Sequence, residues 1–155
     1  MPFLVPIFAN NMAIYFDDKS PNFKGIKGPT DTAKAWSESV KLASPSIFPP
    51  SITIAAAEAA MFGVLASWSY QSDSAGSTLK SAIDAFYATY APGCLPSFAA
   101  VPPTQCPIES TFAAGMAGIP HTMWAVNCGN VIANWINTGT WVSTPAGPGG
   151  AGPWL

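Results

Sequence analysis

A chain of 155 residues that is 49% hydrophobic and holds six tryptophans suits one domain around a single core, which excludes disorder of the whole chain. Only 9% of its residues are Asp, Glu, Lys or Arg, against about 25% in an ordinary soluble domain. The six basic residues are all lysines and the net charge is −2, so the basic stripe that nucleic-acid binding requires cannot form.

Residues 1–29 read as an extended arm, with Pro2 and Pro6, the apolar run Ala13-Ile14-Tyr15-Phe16 and a polar turn from Asp17 to Pro21. No signal peptide is recognised, because the opening carries no early Lys or Arg and its prolines interrupt the apolar stretch. The aromatic content of the arm, notably Phe3, Tyr15 and Phe16, predicts that it packs on its own domain or along a neighbour.

A helical domain is expected over 30–142. Its first helix runs from about Thr32 to Ala43 after a Pro29-Thr30-Asp31 start that supplies capping oxygens. Ala33, Trp36, Val40 and Ala43 share one face, and Lys34, Glu38 and Lys41 line another, which predicts an amphipathic helix with a watery side. Pro45, Pro49 and Pro50 separate it from a second helix, capped by Ser51 and running to about Trp68. Here Ile54, Met61, Leu65 and Trp68 form one apolar stripe and Ala55, Ala59, Phe62 and Ala66 a second, so this helix is expected at the centre of the bundle. Glu58 beside the first stripe needs a partner, such as a lysine of the preceding helix. The same segment, Ile52 to Tyr70, is the best membrane-span candidate, but it is alanine-rich, contains Glu58 and lacks flanking basic residues. A membrane partner is therefore not expected.

A third helix, about Thr78 to Tyr90, carries the stripe Leu79, Ile83, Phe86 and Tyr90. Five prolines between 91 and 107 break helical continuity around Cys94 and Cys106 and predict a stiff, packed loop with a contact role. A short helix from Ile108 to Ala117 precedes a longer one from Pro120 to Asn137. Trp124, Cys128, Val131 and Trp135 make one apolar face of the longer helix, Ala125, Gly129, Ile132 and Ile136 the adjacent one, and Asn127, Asn130, Asn134 and Asn137 the opposite side. Residues 143–155 read as a Pro/Gly-rich tail tipped by Trp154 and Leu155. The fold class is thus all-α, an irregular bundle of four or five helices with Pro-rich loops, an extended arm and an extended tail.

Chemistry is thinly supplied. His121 is the sole histidine, and Cys128, seven positions on, lies about 10 Å further along the same helix, too far to pair with it. Cys94, Cys106, His121 and Cys128 contain the right atoms for a thiol enzyme or a zinc site. They lack the closely paired spacing of structural zinc ligands, so no metal and no cofactor are expected. Cys94 and Cys106 suit a disulfide only in an oxidising compartment; reduced thiols are the default expectation. The glycines between 147 and 152 lack the lysine and following helix of a phosphate loop.

Thirteen of the fourteen charges lie between Asp17 and Asp84, and residues 85–155 carry only Glu109. Burial against other subunits accounts for such poverty of charge, because permanent interfaces resemble a core cut in half. The expected function is a non-catalytic structural subunit of an oligomeric assembly, in a virion or a cytoplasmic complex, contacting copies of itself or other subunits. The expected contact residues are Phe3, Tyr15, Phe16, Asn127, Asn130, Asn134, Asn137, Trp141, Trp154 and Leu155. The alternative is a small thiol- or zinc-dependent enzyme or module built on Cys94, Cys106, His121 and Cys128.

Overall fold

The computed structural model describes residues 3–28, 30–44, 51–69 and 71–153. Six α-helices lie among them: α1 (Val5–Phe16), α2 (Asp31–Ala43), α3 (Ser51–Leu65), α4 (Ala75–Tyr90), α5 (Glu109–Met116) and α6 (His121–Ile136). Strands β1 (Phe98–Val101), β2 (Thr140–Ser143) and β3 (Ala151–Pro153) form one antiparallel sheet in that order. The fold is mostly helical with a small sheet, where helices alone were expected. Pro2, Pro29, Pro45, Pro49, Pro50, Tyr70, Trp154 and Leu155, on which several of the expectations above fall, lie outside the described residues.

Within the expected extended arm, Val5–Phe16 form a helix. Pro6 falls within the first turn of α1, where its missing N–H has no helical acceptor to lose, so it starts the helix rather than preventing one. Phe8, Asn11, Met12 and Tyr15 are buried at offsets of zero, three, four and seven, a helical stripe with an amide inside it. Ile7 and Ile14 lie off that stripe and blur it in the sequence. α1 runs antiparallel to α2, with the Leu4 N–H donating to Ala43 O at 2.9 Å and the Asn11 amide donating to Ser39 Oγ at 2.9 Å. Its other side packs on α6.

α2 is more deeply buried, and α3 less, than their sequence patterns predict. Eight of the thirteen residues of α2 are buried, including Ser37 and Ser39, so this helix is central and its watery side is small. Its small residues let α1 and α3 approach closely, while Trp36, fully buried, reaches Phe8, Phe112 and Trp124 at ring distances of 5.7, 6.3 and 5.7 Å. Tyr15 donates a hydrogen bond to Glu38, and Lys41 pairs with Glu58 of α3 at 2.6 Å, so two of its three expected surface charges are half-buried and engaged by neighbouring helices. Thr30 makes no side-chain cap to α2. Asp31 instead accepts the N–H groups of Lys27 and Gly28, the latter at 3.0 Å, and closes the preceding turn. α3, expected at the centre, packs on α4 and α2 through Ile54, Ala57, Met61 and Leu65 and leaves Ile52, Ala55, Ala56, Ala59 and Gly63 exposed.

The remaining helices follow their stripes. Leu79, Ile83, Phe86 and Tyr90 of α4 are buried together, as are Trp124, Cys128 and Trp135, with Ala125, Gly129, Ile132 and Ile136, on α6. Between these helices Asp84 accepts the N–H groups of Gln105 (3.0 Å) and Cys106 (3.2 Å), and the Trp135 indole donates to Thr104 O at 3.1 Å. The proline-rich connection is therefore fastened to α4 and α6 at its C-terminal end, it begins with a 3-10 turn over Ala91–Cys94, and between them it contributes β1.

The tail is extended but paired. Val142 faces Ala99 on one side and Ala151 on the other. Gly149 and Gly150, with φ of +96° and +99°, make the left-handed turn that returns the chain to β2, a conformation side chains other than glycine disfavour. Trp141 packs edge-on against Phe98 at 5.0 Å and donates its indole N–H to Pro153 O at 2.9 Å, which holds β3 down.

Candidate interaction surface

Of the residues of the thiol and zinc alternative, the three cysteines are buried and His121 is exposed at the start of α6. Cys94, Cys106 and Cys128 are buried, free thiols. Burial pushes all three upward, Cys128 to about 12, and for Cys106 the carboxylate of Asp84 and the neighbouring Cys128 add to the effect. Thiolate, the nucleophilic and metal-binding form, is thereby disfavoured at each. His121 begins α6 and lies against Phe16 at 5.3 Å and Trp124 at 6.0 Å; burial holds it below the usual histidine range, with Asp17 partly opposing. Among the described residues no three His, Cys, Asp or Glu side chains gather where they could hold a metal.

The expected contact residues divide. Phe3 and Tyr15 are buried in their own domain, the first against Phe8 and the second under Glu38, so neither offers its ring to a neighbour. Phe16 is half-buried on His121 and Trp124, and Trp141 is half-buried on Phe98. Asn127, Asn130 and Asn134 are exposed in a row along α6, with Met123 (56% exposed) and Val126 on the same side. Asn137, at the end of the helix, is half-buried, and its Oδ1 has no hydrogen-bond partner among the described residues.

An exposed apolar face lies on α3, the helix expected at the centre of the bundle. α3 buries Ile54, Ala57, Met61 and Leu65, the first of its two stripes. The second faces outward: Ala55, Ala59 and Ala66 are exposed, joined by Ile52 (78% exposed), Ala56 and Gly63, with Phe62 half-buried at the margin. Glu58, the one charged residue of this helix, turns sideways to Lys41, so the outward face carries no charge. A Cβ placed on Gly63 would meet nothing within 4 Å. The signal was present in the sequence as a helix apolar nearly all round, a pattern that ordinarily marks burial. Here the chain supplies neighbours for half of it. Among the described residues no helix is long and apolar enough to cross a membrane.

The sheet adds a second uncharged surface. Side chains alternate along a strand, and Ala99, Val101, Thr140, Val142, Ala151 and Pro153 share the outer face; all six are exposed, Val101 at 62% and Val142 at 54%. With the outward sides of α3 and α6, three exposed surfaces of the domain thus lack any ionisable side chain except the rim residue His121. The chain matches no protein-family model, no curated protein and no solved structure.

Proposed function

We propose that this chain is a non-catalytic structural subunit of a larger protein assembly and that the outward face of α3 is a principal contact. The observation that carries this reading is that α3, apolar nearly all round, leaves Ile52, Ala55, Ala56, Ala59 and Gly63 in solvent. Water offers such a face nothing, whereas a packed partner removes its apolar area at about 25 cal/mol per Å². Small side chains also let a second backbone approach closely and without large losses of side-chain freedom.

Size decides what else must take part. A helix of fifteen residues is about 22 Å long, and a strip of that length falls well short of the roughly 800 Å² per partner of a stable interface. Further surface has to join it, and the amide row of α6 and the outer sheet face suit that role because uncharged groups desolvate at lower cost than ions. Burial of the three thiols supports the non-catalytic reading over the thiol or zinc alternative. A virus or phage particle, with this chain in its shell, tail or baseplate, is the setting we propose on composition, which is arginine-free and rich in alanine, proline and glycine.

Native mass at high protein concentration tests the proposal, with Ala59→Glu as the comparison. The expected result is an assembly for the unaltered chain and a smaller species for the variant, with the same helical circular dichroism. A clean monomer for the unaltered chain, or assembly indifferent to charge on α3, on α6 at Asn130 and Asn134, and on the sheet at Val142, overturns it.

A further inference from the structure

We draw no further inference here: the strongest candidate, the outward apolar face of α3 from Ile52 to Gly63, belongs to the surface already proposed as an assembly contact, and nothing in the structure shows which partner covers it.

Discussion

Lys41 of α2 and Glu58 of α3 meet at 2.6 Å, with a third and a quarter of their side chains still open to water. The pair removes the single charge of α3 from its outward face, and it joins α2 to α3. Partial exposure keeps its contribution modest, in the range of about 0.2–1 kcal/mol measured for such pairs. A double-mutant cycle with Lys41→Met and Glu58→Gln is expected to give a coupling in that range and to shrink in high salt. A coupling near the larger values of desolvated ion pairs would show that the site is drier than its exposure indicates.

Asn11 and Ser39 form a different kind of link, a neutral hydrogen bond of 2.9 Å between two buried side chains. Replacing one partner strands the other: Asn11→Ala is expected to lower stability by about 1–3 kcal/mol, the cost of a buried unsatisfied group. Replacing both, as Asn11→Leu with Ser39→Ala, should recover much of that loss. Urea unfolding of the three variants checks the pattern, and a double variant no better than the worse single one would remove this pair as a cause.

These two pairs also explain what was legible in the sequence. Helices α2 to α6 were placed within a few residues because prolines and polar breaks bound them and their stripes repeat at helical spacing. Rank within the bundle was not legible, since it depends on partners distant in sequence: Glu38 is met by Tyr15, and Lys41 by Glu58. A charged face that looks watery in one dimension is thereby drawn inward. α1 was hidden by Ile7 and Ile14 outside its stripe and Asn11 within it. The sheet was hidden because Ala151-Gly152-Pro153 has no strand preference of its own and is held by β2 and Trp141. For the candidate surface, the amide row of α6 followed directly from its spacing, whereas the apolar pattern of α3 could not reveal which of its two stripes the chain itself would cover.

The buried thiols predict a pH dependence. Cys128 moves from 9.0 to about 12 in the fold, and Cys94 and Cys106 move in the same direction. In the unfolded chain the thiols ionise first, so between these limits the folded state binds more protons and stability falls as pH rises. The stabilisation is complete below about pH 8.5, the ordinary thiol value, and is lost toward about 12 for Cys128. Raised values at Tyr15, Tyr87 and Tyr90 act in the same sense from about pH 10 upward. Unfolding free energies from urea titrations are expected to decline from pH 8 through 10 by up to about 1.4 kcal/mol per pH unit for each ionising group, with a shallower slope in Cys128→Val. Thiol reagents should leave the native protein unlabelled and react after unfolding. A flat profile, or fast native labelling, contradicts the burial on which this rests.

Two helical glycines separate packing inside the domain from packing outside it. A Cβ on Gly115 would lie 2.2 Å from Nε1 of Trp124, itself buried against Trp36, so Gly115→Ala forces the central aromatic cluster apart. Overpacking of this kind costs about 1–3 kcal/mol, and the melting temperature should fall. The same change at Gly63 meets open space, and Ala in a helix interior is better than Gly by about 0.5–1 kcal/mol. Gly63→Ala is therefore expected to raise the melting temperature of the dissociated chain. Gly63→Trp should leave that chain folded, since Gly63 is exposed and a Cβ there meets open space, but should hold any partner off α3. Native mass measured on the same samples distinguishes the two effects. If Gly63→Trp assembles like the unaltered protein while Gly115→Ala melts early, the internal packing stands and the contact lies on α6 or the sheet instead of α3.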